Sequence, residues 1–165
     1  MTLASNRPDL RRIGESSFKE VLGTLLSLSV TLPDSSKHSP ISIASDQISS
    51  RILLTGPQLS GSVHIQLPEA FIARAVRVLT GFDGASGETK ALLDDAAGEL
   101  ANMVAGRVAA GLATAGYPCS LGIPSVSHGA PLPIEIQSGE DHGRTAFMCD
   151  GYWLSLEVHC RFKRP

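Results

Sequence analysis

The chain has 165 residues, 42% of them hydrophobic and 18% charged, with a formal net charge of −2. Length and composition suit one globular domain with a proper core, not a disordered chain. The small net charge, the lack of an apolar run long enough to cross a bilayer and the lack of an apolar signal core in Met1–Pro8 speak against a nucleic-acid binder, a membrane protein or a secreted one, and a cytoplasmic location is expected.

Residues 1–15 mix Asn, Pro, Asp, Arg and Gly and are expected to form a flexible N-terminal arm, followed by a single domain over 16–165. Ser17-Phe18-Lys19-Glu20 fits a capping box, in which the serine takes a free amide and the glutamate reaches back. Phe18, Val21, Leu22, Leu25 and Leu28 recur at helical spacing, and Pro33 should stop that helix. Residues 33–40 form a polar loop between two prolines, and its serines have no accompanying base or oxyanion motif.

Three short strands are expected next. Ile41 and Ile43 alternate, Arg51–Thr55 is an apolar run closed by Gly56-Pro57, and Leu59–Leu67 sets Val63, Ile65 and Leu67 on one face with His64 and Gln66 on a solvated one. Pro68 then opens a helix at its first turn, with Phe71, Ala75, Val76 and Leu79 inward and Arg74 and Arg77 outward. Gly81 to Gly87 holds three glycines in seven residues but no Gly-x-Gly-x-x-Gly, and no Gly-Lys-Ser/Thr follows, so it reads as a tight connection and not a phosphate loop. Ser86, followed by Lys90, is a candidate start for the long helix that covers Asp94 to Leu112.

Strands return after Gly116-Tyr117-Pro118. Cys119–Ser127 is one, interrupted or edged at Pro124. A turn region at Ser127–Pro131, a strand at Leu132–Ile136 and a polar loop at Ser138–Gly143 follow. Thr145–Cys149 and Tyr152–Leu154 flank Asp150-Gly151, a two-residue hairpin turn by composition. From Tyr152 to Phe162, Leu154, Leu156, Val158 and Cys160 alternate with Trp153, Ser155, Glu157, His159 and Arg161, a half-buried strand with a wet second face. This order implies an α+β fold, with helices packed on a largely antiparallel β-sheet.

None of the five histidines stands at helical metal-ligand spacing, and no Gly-x-Ser-x-Gly elbow occurs, so no metal site is expected on this chain. Cys119, Cys149 and Cys160 are too few and too widely spaced for a disulfide framework and read as reduced thiols.

The polar residues of the long helix are not scattered. Asp95, Glu99 and Asn102 lie at i, i+4 and i+7, one stripe of a helix. At about 100° per residue, Asn102 falls about 60° from Glu99, with Asp95 and Gly106 between them. Leu93, Leu100, Val104 and Val108 cluster roughly 100° to 180° away and should pack inward. Asparagine suits a helix interior poorly because its amide competes with the backbone. Gly98 and Gly106 each cost about 1 kcal/mol against Ala, and glycine beside the stripe leaves room for another molecule. A Glu-x-x-Asn pair by itself also fits an ordinary solvated helix face.

Asp95-x-x-x-Glu99-x-x-Asn102-Met103, with Gly106 and later Pro124 and Gly129, resembles the active-site signature of the CheC/CheX/FliY chemotaxis phosphatases. The resemblance covers about residue 16 to 163, and the single copy of the signature is similar to CheX and not to CheC, which carries two. Pro124 falls slightly off the family's spacing, which a shift in the loop at Gly116–Pro118 absorbs. The resemblance implies a CheC-like fold and dephosphorylation of a phosphorylated CheY-type response regulator. It implies that Glu99 forms a salt bridge to a lysine of the regulator and that Asn102 orients the attacking water. Asp95, Gly98, Met103 and Gly106 would line the partner contact. It also implies no cofactor on this chain, magnesium on the regulator, and a homodimer. A receiver-binding scaffold without activity, or a structural component related to the flagellar switch, are the alternatives.

Overall fold

The computed structural model describes residues 7–32, 46–81, 90–129 and 135–163. Three helices, α1 (Leu10–Leu26), α2 (Glu69–Thr80) and α3 (Lys90–Thr114), pack on a six-stranded antiparallel sheet. Its strands are β1 (Gln47–Thr55), β2 (Leu59–Pro68), β3 (Ser120–Leu121), β4 (Ser125–His128), β5 (Asp141–Cys149) and β6 (Tyr152–Phe162). The order is β3-β1-β2-β6-β5, with β4 pairing beside β3 along the same edge of β1. The fold is α+β, as the order of elements in the sequence implies.

Alternation along the strands decides which face receives the helices. Ile48, Ile52 and Leu54 of β1, Val63 and Ile65 of β2, Leu156 and Val158 of β6 and Phe147 of β5 are buried beneath them. Phe18 of α1 stacks on Phe147 with ring centroids 4.6 Å apart. The hairpin turn between β5 and β6 places both central residues at positive φ, Asp150 at 51° and Gly151 at 84°, which is what an Asp-Gly pair supplies.

The first helix starts earlier than expected. Residues 10–15, assigned to the arm, form its first turns, and the cap is Asp9, whose side chain accepts from the Arg12 amide at 3.1 Å. Ser17 is not a cap: its hydroxyl donates to the Ile13 carbonyl at 2.7 Å inside the helix. The early start is held by packing, since Leu10 is buried and Gly14 lies against Leu156 and Val158. In α2, Ile72 is buried where Leu79 was expected, and Leu79 is 54% exposed. Gly81 closes α2 at φ 65°, donating to the Arg77 carbonyl.

Cys119–Ser127 divides at Pro124 into the two short strands β3 and β4. β5 begins at Asp141, inside the expected polar loop, and Glu135 and Ile136 belong to no strand. The expected strand at Ile41–Ile43, the loop at 33–40, residues 82–87 of the glycine-rich connection and residues 132–134 lie outside the described residues.

The second face of the sheet is less wet than expected, for Ser155 and His159 are each only 4% exposed. His142 stacks on His159 from β5, His64 meets it edge-on from β2, and Glu157 bonds its Nε2 at 3.1 Å. His64 shares a 2.8 Å hydrogen bond with the Ser62 hydroxyl, and burial, with His159 adding to it, pushes its pKa down to about 4. Cys149 and Cys160 are buried and Cys119 half-buried, all free, and burial raises the Cys160 thiol to about 12.

Candidate functional site at the edge of helix α3

Helix α3 runs across the sheet with Leu93, Ala97, Leu100, Ala101, Val104 and Val108 buried, the side that helical spacing sets inward. Its seat on β1 includes a buried contact in which the Ser50 hydroxyl donates to the Ala97 carbonyl at 3.4 Å. With that side committed to the core, the stripe has to face outward. Asp95, Glu99 and Asn102 are all exposed. Among the described residues, none of these three side chains has a hydrogen bond or ion pair.

The sheet edge supplies the other wall. Between β3 and β4, Gly122-Ile123-Pro124 is held to β1 by the Gly122 amide, which donates to the Leu53 carbonyl at 2.8 Å. The resulting open groove, about 560 Å³, is lined by Asp94, Asp95, Gly98, Glu99 and Asn102 of the helix and by Gly122, Ile123, Pro124 and Val126. Glu99 and Asn102 thus share one wall and Pro124 stands on the other. A second contact ties the walls together: His128, at the end of β4, meets the Asp94 carboxylate through Nε2.

The expected partner residues divide. Asp95 lies in the groove with Glu99 and Asn102. Gly98 is buried in the groove wall, where an added Cβ would sit at ordinary contact distance, 3.7 Å from Val126 Cγ2 and 3.8 Å from Pro124 Cβ, so the packing of β4 on the helix leaves room for alanine there. Met103 and Gly106 line a separate depression of about 350 Å³ between α1 and α3, beside Glu20 and Arg107, which pair at 3.1 Å. Two groove features escaped sequence reasoning. The Asp94–His128 contact joins residues 34 apart and has no local signal. Ile123 is 91% exposed, although its flanking Gly122 and Pro124 could have marked it as a projecting loop tip.

Chemically, the groove offers carboxylates to a cationic group and a neutral amide that both donates and accepts. Glu99 and Asn102, three apart on a helix, have Cβ atoms about 5–6 Å apart, so one bound surface can meet both. Among the described residues, no group of three or more His, Cys, Asp or Glu side chains is arranged to hold a metal ion.

A family model described as "Chemotaxis phosphatase CheX" matches residues 48–148, more than half of the chain and all of the groove. The chain belongs to the CheX family. Among solved structures, CheX from Vibrio vulnificus is similar at 22% identity and a TM-score of 0.75, covering 93% of this chain and 97% of that one. CheX from Desulfovibrio desulfuricans is similar at 19% identity and a TM-score of 0.72, covering 92% and 98%. The CheX–CheY–BeF3–Mg complex from Borrelia burgdorferi contains a chain that is similar at 19% identity and a TM-score of 0.71, covering 94% and 99%. At these identities the likeness is one of fold. No curated relative matches this chain. Among the described residues no helix is long and apolar enough to cross a membrane.

Proposed function

We propose that this CheX-family protein hydrolyses the aspartyl phosphate of a CheY-type response regulator in the cytoplasm. The observation that carries the proposal is the placement of Glu99 and Asn102, exposed and unpartnered, on one wall of an open groove whose other wall carries Pro124. Membership of the chemotaxis phosphatase family supports the substrate class. So does the Borrelia burgdorferi structure, in which a CheX is in complex with CheY.

Glu99 docks the edge of α3 by pairing with a lysine of the receiver. Asn102 then enters the receiver's site, where its amide fixes one water in line with the phosphorus–aspartyl oxygen bond. Water attacks phosphorus, that bond breaks, the aspartate leaves as carboxylate and inorganic phosphate departs. An acyl phosphate has a good leaving group, so orientation of the water is the main contribution required. The Asn102 amide is too weak a base to take a proton from water at neutral pH, yet it both donates and accepts hydrogen bonds, which suits a positioner and not a general base. The divalent cation belongs to the receiver.

The test is the decay of a phosphorylated CheY-type receiver with and without this protein. Wild type should accelerate it. Asn102→Ala should remove most of kcat, while Glu99→Ala should chiefly raise KM. Undiminished acceleration by Asn102→Ala would refute the mechanism. Saturable binding with an unchanged phosphate lifetime would favour a scaffold instead.

A further inference from the structure

We infer that Ile123 is the apolar docking contact of this groove, seated on the receiver surface beside the cationic group that Glu99 binds. The identity of the partner rests on the phosphatase proposal above. Single exposed aliphatic residues are common and need no explanation. Three observations set Ile123 apart.

The first is place. Ile123 is 91% exposed and lines the same groove as Glu99 and Asn102. The second is rigidity. The loop is anchored before Ile123 by the Gly122–Leu53 bond, and after it Ser125 begins the pairing of β4 with β1. A residue that precedes proline is also confined to extended conformations. The side chain is therefore presented by a fixed backbone, and little ordering opposes its burial by a partner. The third is company. Pro124 and Val126 follow Ile123 along the same wall, each only partly buried, so the apolar surface continues from the loop tip into the groove.

The charges around it define the partner's chemistry. Asp95 and Glu99 are exposed carboxylates without partners among the described residues, whereas Asp94 is held by His128. The complementary surface is an apolar hollow bordered by lysine or arginine. A second copy of this chain would bring Asp95 and Glu99 against an equally acidic groove if it docked through the same face, which disfavours it.

The experiment measures the affinity of a CheY-type receiver, loaded with beryllofluoride and Mg²⁺, for wild type, Ile123→Ala, Ile123→Leu, Ile123→Lys and Asn102→Ala, alongside turnover of the phosphorylated receiver. Ile123→Ala should weaken binding by about tenfold or more, from the apolar area it no longer buries. It should raise KM and leave kcat and the melting temperature unchanged, because Ile123 is outside the core. Ile123→Leu should bind nearly as wild type, and Ile123→Lys worse than Ile123→Ala because the facing surface is cationic. Asn102→Ala should bind and fail to turn over. Wild-type affinity in Ile123→Ala and Ile123→Lys would overturn the inference. So would loss of self-association in those variants with receiver affinity intact, which would assign the face to a second copy. Weakened binding by Ile123→Ala, with no dephosphorylation even by wild type, would uphold the docking contact and overturn the phosphatase proposal. No receiver binding by wild type would overturn both.

Discussion

Replacing Gly106 with alanine should stabilise the protein, and the size of the effect follows from the structure. Gly106 sits inside α3 with helical φ, and a Cβ built there meets nothing within 4 Å. No clash opposes the methyl group, so the change reduces to the intrinsic difference between Gly and Ala in a helix, about 1 kcal/mol. Part of that difference lies in the unfolded chain, whose freedom alanine restricts. For a domain of 150–250 residues, this shifts the melting temperature by about 2–4 °C. In urea the midpoint should rise with the slope unchanged, because the surface exposed on unfolding hardly changes. Gly98→Ala should gain as much, since its Cβ makes ordinary contacts at 3.7 and 3.8 Å. Gly111→Ala should gain less or lose, because its Cβ would lie 2.9 Å from Ile13 Cγ2. A midpoint at or below wild type for Gly106→Ala would refute the reasoning. Turnover in the same variant addresses the glycine's purpose: Gly106 opens towards the depression beside α1 and not the groove, so receiver affinity should be retained.

Gly143→Ala should destabilise by about 1–3 kcal/mol or more, because its Cβ would fall 2.3 Å from the Arg11 amide nitrogen and 2.6 Å from Arg11 Cα, forcing backbone to move; a urea midpoint equal to wild type would refute this. Stability should fall as pH drops from 6.5 towards 4. The unfolded chain protonates His64 near 6.5, whereas burial and the neighbouring His159 and Arg51 delay protonation in the folded protein to about 4, against the opposing pull of Glu157. The unfolded state therefore binds more protons across that window, and the loss is at most about 1.4 kcal/mol per pH unit from this one group, reduced by solvent screening. His64→Gln should flatten the profile, as read from urea midpoints at several pH values, and an unchanged profile would show that other groups carry it.

Periodicity carried the parts of the fold that bury a continuous stripe. The long helix, the Leu59–Leu67 strand and the hairpin at Asp150-Gly151 are legible because each repeats one spacing over several residues. What failed was decided by distant partners. The start of α1 depends on Leu10 and Gly14 meeting a sheet whose strands come more than a hundred residues later. A Ser-x-x-Glu box at Ser17 competes well on local grounds, but it cannot outweigh the burial of Leu10. The polar face of β6 alternates correctly, yet His159 is covered because rings from β2 and β5 converge on it. At the site, the wall made by α3 was legible as a stripe. Of the opposite wall only Pro124 was legible, through the family signature, since the spacing of residues does not reveal that Gly122-Ile123-Pro124 crosses beside Gly98.

The groove also gathers residues that local rules disfavour. Asn102 stands in mid-helix, Gly98 lowers helix propensity where alanine fits, and Ile123 leaves an aliphatic side chain in water. Asn102 and Gly98 each lower helix stability by an amount that alanine would recover, and Ile123 forgoes the burial that an aliphatic side chain usually gains. If these costs were unrelated, they should scatter over the surface. Their meeting at one groove, around unpartnered carboxylates, is what a site shaped for a second molecule produces. The rest of α3 points the same way: where no groove is formed, at Val104 to Leu112, the buried side is close-packed and the outer side carries Arg107 in an ordinary ion pair with Glu20. Gly106 is an exception in that half and opens on the depression beside α1, but Asp95, Glu99 and Asn102, polar residues without partners among the described residues, all lie in the half facing Pro124.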